Sequence, residues 1–178
     1  MYDGIRRSRV RPALVRVAAA VVVLLASVAL AAGPARAAAG NHNMTPRATN
    51  WGQCLDIGSN APGTTVGLYY CNRAATSQAW WWNCAGTNAD CTIASASSGY
   101  TQCWDLRSYA QGSQVILNYC NSGLASQRWT ILDYKIASAG SGNRMCLDLR
   151  SYAAGTPVGL NGCNDNLTSQ KWLWRWTS

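Results

Sequence analysis

Three aspartates recur at the same place in a repeated string of this 178-residue chain. Each lies two residues after a cysteine, and they are Asp56, Asp105 and Asp148. A carboxylate accepts hydrogen bonds, and strong ones when it is charged, so each aspartate could hold the hydroxyl groups of a ligand. The alternative is that each caps a turn of the backbone.

Catalysis is a second function class, and the composition argues against it. The chain has no glutamate, and its one histidine is His42, near the start of the mature part. This excludes most Ser-His and Cys-His catalytic arrangements. A glycosidase needs two carboxylates roughly 5–10 Å apart, whereas the repeated aspartates belong to separate copies. We therefore expect a protein that is not an enzyme.

The aspartates belong to a string that occurs three times. In each copy a second cysteine follows 17 positions after the first, and a Gln-x-Trp follows with its glutamine seven positions later. The glutamines are Gln78, Gln127 and Gln170, and the tryptophans are Trp80, Trp129 and Trp172. The copies lie 49 and then 43 positions apart, because the first carries a six-residue insertion around Cys84 and Cys91. An internal repeat of this length predicts one structural unit per copy.

All eight cysteines lie in the repeated region, and an even number in an exported chain indicates disulfides. The shared spacing predicts Cys54–Cys71, Cys103–Cys120, Cys146–Cys163 and, for the remaining two, Cys84–Cys91. A zinc site is the alternative, but the repeats have no short Cys-x-x-Cys spacing and no histidine. We expect no metal and no cofactor.

Short strand-like segments alternate with Gly, Asn and Ser clusters, and the repeats show no 3.6-residue apolar period. Four strands per copy give an all-β fold of about twelve strands with approximate threefold symmetry. No copy can bury its apolar face alone, so the three must share a core.

The first residues have the pattern of an export signal: several arginines, an uncharged run from Val17 to Ala32, and Ala35-Arg36-Ala37 as a cleavage site. Cleavage after Ala39 and an uncleaved membrane anchor are the alternatives. We expect a secreted, extracellular protein without a membrane span after cleavage. The predicted divisions are a signal at 1–37, a flexible tail at 38–42 and a domain at 43–178, with repeats at about 43–91, 92–134 and 135–178.

The basic pI belongs mostly to the signal. Beyond residue 37 the chain has nine Lys and Arg against six Asp, a net charge of +3. That is an ordinary surface, so we expect no nucleic acid partner.

The three Cys-x-Asp … Cys … Gln-x-Trp units resemble the ricin B-chain type lectin domain, a β-trefoil, and also the xylan-binding modules of bacterial glycosidases that share this fold. The resemblance runs from about residue 43 to the end. It implies a non-catalytic, monomeric carbohydrate-binding protein for galactose-, arabinose- or xylose-type sugars, with galactosides, xylan or arabinoxylan-like glycans as partners. It also places the Gln-x-Trp tryptophans in the core.

By the same resemblance, the repeated aspartate binds sugar hydroxyls and an aromatic ring lies two residues before the second cysteine. Only the first copy has that ring, Tyr69; the others have Asn118 and Asn161. A serine precedes each Gln of Gln-x-Trp, where the family often has Asn, and an asparagine after the second cysteine is the candidate substitute. We expect the first site to be best, then the third, then the second. The full candidate set is Asp56, Tyr69, Asn72, Gln78, Asp105, Asn118, Asn121, Gln127, Asp148, Asn161, Asn164 and Gln170.

A third function class is a protein-binding or inhibitory β-trefoil that has lost sugar recognition. The missing rings in two copies motivate it. Its partner would dock on an exposed patch formed by Trp81, Trp82, Trp174 and Trp176.

Overall fold

The computed structural model describes residues 40–177. The predicted signal at 1–37 and both candidate cleavage sites lie outside the described residues. Within 40–177 the regular structure is β-strand and single turns of 3-10 helix. No helix in this range is long and apolar enough to cross a membrane.

Each copy contributes four strands. The first has β1 (Gly40–Pro46), β2 (Gln53–Asp56), β3 (Gly67–Tyr70) and β4 (Trp80–Cys84). The second has β5 (Cys91–Ser95), β6 (Gln102–Leu106), β7 (Val115–Tyr119) and β8 (Trp129–Leu132). The third has β9 (Lys135–Ser138), β10 (Met145–Asp148), β11 (Gly159–Gly162) and β12 (Trp172–Trp176). The 3-10 turns are Arg47–Thr49, Thr76–Gln78, Ala96–Ser98, Ala125–Gln127, Ala139–Ser141 and Thr168–Gln170.

The first and last strands of each copy form a barrel. Antiparallel pairs run in the order β12-β1-β4-β5-β8-β9. The backbone N–H of Trp172 donates to the carbonyl of Tyr134 at 2.8 Å, which joins β12 to the segment entering β9. Because the strands close on themselves, the barrel leaves few unpaired edges.

The two middle strands of each copy pair as a hairpin: β2 with β3, β6 with β7 and β10 with β11. The three hairpins meet through three backbone bonds. Val66 N–H donates to the Val115 carbonyl (2.9 Å), Val115 to Val158 (3.0 Å), and Val158 back to Val66 (2.9 Å). All three valines are fully buried. This closed ring satisfies backbone groups that would otherwise be buried without a partner.

The Gln-x-Trp tryptophans form the centre of the core, as predicted. Trp80, Trp129 and Trp172 are fully buried. The indole N–H of Trp80 donates to the Leu55 carbonyl in the first hairpin at 3.2 Å. Trp104 lies between Trp80 and Trp129 with edge-to-face rings at 5.1 and 5.9 Å between centroids, a favourable aromatic geometry.

The predicted disulfide pairs are the ones the structure forms: Cys54–Cys71, Cys103–Cys120, Cys146–Cys163 and Cys84–Cys91. The first three link the two ends of a hairpin at matched places in the copies. The fourth closes the base of the inserted loop between β4 and β5.

The flexible tail predicted at 38–42 was wrong for its last three residues, which begin β1. His42 pairs with Trp176 on one side and with Trp80 on the other. Its side chain is 8% exposed and stacks on the Trp176 ring at 4.2 Å between centroids. The pairing partners are more than thirty residues away along the chain, so local composition could not reveal the strand.

Burial lowers the pKa of His42 below its ordinary value of 6.5, because the charged imidazolium loses solvation. As pH falls below about 6.5, the unfolded chain takes up a proton first and stability decreases until the lower folded pKa is passed. An unperturbed histidine is the one side chain whose charge changes between about pH 5 and 8 without a pKa shift, so we assign this window to His42. We predict that the Tm of the parent protein falls as the pH is lowered below about 6.5. The His42→Gln variant should show a flatter profile. An equally steep decline in the variant would contradict this assignment.

Candidate functional site

Asp56 and Asp148 end the first strand of their hairpins, and Asp105 lies one residue before the end of its strand. One oxygen, Oδ1, accepts the backbone N–H of the next residue: Ile57 at 2.7 Å, Leu106 at 2.7 Å and Leu149 at 2.9 Å. This bond is the capping role considered above, and it fixes the carboxylate. The other oxygen, Oδ2, is left to face the second strand of the hairpin.

The partner of Oδ2 differs between copies. In the first, Gln78 Nε2 donates to Asp56 at 2.8 Å. In the third, Asn161 Nδ2 donates to Asp148 at 2.9 Å. In the second, Asp105 receives both kinds of donor, from Asn118 and Gln127. The Asp105 carboxylate is therefore the most fully bonded of the three.

The glutamines, included above among sugar-binding residues, are instead positioning residues. Gln78, Gln127 and Gln170 are fully buried and cannot touch a ligand at the surface. Each Oε1 accepts the backbone N–H after the second cysteine at 2.8 Å. Each Nε2 donates to a carbonyl at the end of the hairpin at 2.9 Å. They hold the hairpin end against the turn that carries the core tryptophan.

The asparagines after the second cysteine lie in exposed local turns. The side chains of Asn72, Asn121 and Asn164 accept the backbone N–H two residues later, at 2.9–3.0 Å. These bonds have the pattern of Asx turns. Neither of the two hollows described next includes these residues among its lining.

The first copy has an open hollow of about 320 Å³ beside Asp56. Tyr69 lies on the same face of the hairpin and is 55% exposed. In the register, Cys54 pairs with Tyr69 and Asp56 with Gly67, so the carboxylate and the ring are diagonal neighbours. Gly67 also lines this hollow, and a Cβ there would lie 3.1 Å from the Thr156 carbonyl oxygen of the third copy.

The third copy has a smaller hollow of about 160 Å³ beside Asp148. Gly159 occupies the place opposite the aspartate, as Gly67 does in the first copy. Asn161 stands where the first copy has its ring, and Arg150 adds a positive charge to the wall. This hollow is polar and has no aromatic platform.

In the second copy, Ile116 pairs with Asp105, where the other copies have glycine. Ile116 is 8% exposed and Asp105 is 5% exposed. The isoleucine side chain fills the space that is open beside Asp56 and Asp148. The sequence analysis missed this residue, although the Gly–Ile–Gly difference can be read from the aligned copies.

Burial raises the pKa of Asp105, but hydrogen bonds from the side chains of Ser126, Gln127 and Asn118 and from the Leu106 N–H lower it below 3.8. The net shift is downward, so this buried carboxylate stays charged. A buried charge with several donors holds the surrounding structure in one arrangement. Asp105 is thus a structural residue.

Part of the wall of each open hollow is formed by a neighbouring copy of the repeat. Gly155 of the third copy lines the first hollow, and Gly112 of the second copy lines the third. Both have φ near +85°, a conformation that favours glycine. Their N–H groups donate to Leu68 and Leu160 in the adjoining hairpins at 2.7–2.8 Å. The hollows therefore form only when the copies assemble.

The sequence model of one protein family, the ricin-type beta-trefoil lectin domain, matches residues 43–172 of this chain. The chain belongs to this family. The match spans all three hairpins, both hollows and every Gln-x-Trp.

Solved structures agree with this ricin-type fold. The designed threefold-symmetric protein ThreeFoil is 25% identical, with 76% of this chain and 97% of that chain covered and a TM-score of 0.66. The C-half of the earthworm R-type lectin, solved in complex with GalNAc, is 17% identical, with coverages of 77% and 98% and a TM-score of 0.61. The agglutinin from Abrus precatorius is 23% identical, with coverages of 76% and 48% and a TM-score of 0.61. No curated protein matches the chain in sequence.

We predict that Asp105→Asn destabilises this ricin-type domain by about 2–3 kcal/mol, because an amide N–H₂ would face buried donors that the carboxylate now accepts. Asp148→Asn is the matched control, since Asp148 is half-buried and has fewer donors. It should cost less than about 1 kcal/mol. Urea unfolding measures both. Equal losses would contradict the structural role given to Asp105.

Proposed function

We propose that this protein is a secreted, non-catalytic lectin that binds glycans through the first hollow, with Asp56 and Tyr69 as the contact residues. The observation that carries the proposal is the pairing of a fixed carboxylate and an exposed ring across an open space. A sugar has a C–H face for the ring and neighbouring hydroxyls for the carboxylate.

The third hollow is proposed as a second, weaker site that uses Asp148 and Asn161. The second copy is proposed to be silent, because Ile116 covers Asp105. Two hollows on one body would increase the apparent affinity for a polymer through effective concentration. A repeating polysaccharide is thus the proposed partner.

The sugar class is proposed to be galactose-, arabinose- or xylose-type. The family assignment supports carbohydrate, and the earthworm lectin was solved with GalNAc, a galactose-type sugar. The four disulfides support an extracellular location, since such bonds persist in oxidising compartments. The protein-binding alternative has less support, because Trp82 of its patch is buried.

The decisive experiment is titration of the protein with galactose, lactose, xylan and arabinoxylan, preceded by a broad glycan array. Tyr69→Ala should weaken binding about tenfold through loss of the stacking face. Asp56→Asn should weaken it by about ten- to a hundredfold, since bonds to a charged acceptor are lost. Tyr119→Ala is the control, because Tyr119 is also an exposed tyrosine (66%, against 55% for Tyr69) but lies outside the hollow. Absence of binding to every glycan would overturn the proposal.

A gain of function tests the part played by the ring. Asn161→Tyr puts an aromatic side chain beside Asp148, as Tyr69 lies beside Asp56. We predict tighter binding to a polysaccharide, by about tenfold or more, because both hollows would then hold one chain. Asn118→Tyr is the matched control: it removes a donor to Asp105 and should cost stability, but it should not tighten glycan binding, since Ile116 still covers Asp105. Similar gains from both variants would contradict the silent second copy.

A further inference from the structure

The far end of the barrel holds a cavity that is separate from the repeat hollows. Strand alternation points every second residue inward. Trp80 and Trp172 lie next to the hairpins, and their indole N–H groups donate to hairpin carbonyls. Two residues after the Gln-x-Trp tryptophan of each copy are Trp82, Ile131 and Trp174. These three surround the threefold axis at the end of the barrel away from the hairpins.

This cavity has a volume of about 320 Å³ and is lined by part of the inserted loop and by His42, Trp82, Ile131, Trp174, Arg175 and Trp176. Its size falls within the range of small-molecule pockets, about 300–1,000 Å³. Unlike the hollows, it has no aspartate in its lining.

The inserted loop of the first copy forms one wall. Cys84 and Asn88 line the cavity, and the Cys84–Cys91 disulfide closes the loop at its base. The Asn88 carbonyl accepts the backbone N–H of Ile131 at 2.7 Å, which ties the loop to the second copy. The six inserted residues thus extend the barrel wall on one side. The other two copies have no such extension.

Flat rings provide most of the remaining wall. Trp176 is 55% exposed and packs against His42, while Trp82 and Trp174 lie 5.9 Å apart between centroids. A Cβ at Gly40 would overlap the Trp176 ring, so the glycine lets that ring lie flat on β1. The Trp176 ring is therefore covered in part by β1, and it also lines the cavity.

Three polar atoms of the wall lack a protein partner. Within residues 40–177, Arg175 Nε is one, and the other two are on rings: His42 Nδ1 and Trp82 Nε1 are buried and make no hydrogen bond. The two ring residues are 8% and 6% exposed. A buried polar atom without a partner costs about 1–3 kcal/mol, which a ligand hydroxyl would recover. Burial lowers the pKa of His42, so its ring is neutral at pH 7 and one nitrogen can accept a bond.

The aromatic rings and the unbonded polar groups of the cavity indicate which class of ligand it would bind. An indole donor needs an acceptor, a neutral imidazole can take either role, and a hydroxyl group supplies both. The rings need an apolar face. A pyranose combines hydroxyls with a C–H face, whereas a hydrocarbon or plain aromatic ring would leave both polar groups unbonded.

We propose that the barrel-end cavity is a further glycan-binding site, which accepts a terminal pyranose packed against the part of the Trp176 ring that lines the cavity, with hydroxyls bonded to His42 and Trp82. It uses none of the repeat aspartates and does not depend on the hollows.

The test uses a Tyr69→Ala/Asp148→Asn background, so that neither hollow contributes. Galactose, xylose, arabinose, glucose and N-acetylglucosamine are titrated singly while the indole N–H signals are followed by NMR. At least one sugar should shift the signals of Trp82 and Trp176 and leave that of the core Trp80 unchanged. Trp176→Ala should weaken this binding about tenfold. Trp82→Phe, which keeps a ring but removes the donor, should weaken it less. Tyr119→Ala should leave it unchanged.

Three results would overturn the proposal. One is that no sugar shifts the Trp82 and Trp176 signals. Another is a shift that survives both tryptophan substitutions. The third is that free indole shifts them and no sugar does. Binding by the parent protein that depends on Tyr69, together with a silent cavity, would leave the first-hollow proposal standing while this one fails.

Discussion

The structure depends on a ring of three backbone hydrogen bonds around the threefold axis. Val66, Val115 and Val158 each donate to the next copy and accept from the previous one. The groups are fully buried, so leaving any one unpaired would cost about 1–3 kcal/mol. No copy can satisfy its own valine, and this couples the copies in one folding unit. The ring of hydrogen bonds also places the turn of one copy against the hairpin of the next, and these contacts form the walls of the hollows.

Because the backbone is repeated, single side chains decide which hollow is open. Gly67 and Gly159 leave space opposite their aspartates, and Ile116 fills it. The aspartates at this repeated position therefore have different roles in the three copies. Asp105, with its donors from Asn118 and Gln127, stabilises the fold, whereas Asp56 keeps a half-exposed carboxylate beside Tyr69. Duplication allows this division, because one copy can lose its hollow without loss of the others.

Much of this could be predicted from spacing. The 17-position cysteine pairs and the Gln-x-Trp strings predicted the strands, the shared core and three of the disulfides, since these features recur within each copy, and the fourth disulfide joins the two cysteines that remained. Features set by contacts between distant strands could not be predicted in the same way. His42 looked like part of a tail because its partners, Trp80 and Trp176, are remote in sequence. Gln78 looked like a ligand contact because its burial depends on how the hairpin end meets the 3-10 turn. Ile116 was visible, but its meaning required the register that places it opposite Asp105.

The two ends of the barrel differ in how similar the three copies must be. At the hairpin end the threefold ring requires the copies to be nearly alike, and the valines, leucines and tryptophans there match. At the other end no such ring exists among the described residues, so the copies can differ: Trp82, Ile131 and Trp174 are equivalent in position but not in chemistry. The stapled insertion and the last strand add Asn88 and Trp176 at this end alone. An aromatic side chain at the centre of the core is explained by packing, but a half-exposed Trp176 is not, because its outer face buries nothing. The fold thus explains the tryptophans next to the hairpins, and core packing extends to Trp82 and Trp174, so that Trp176 is the residue that packing leaves unexplained.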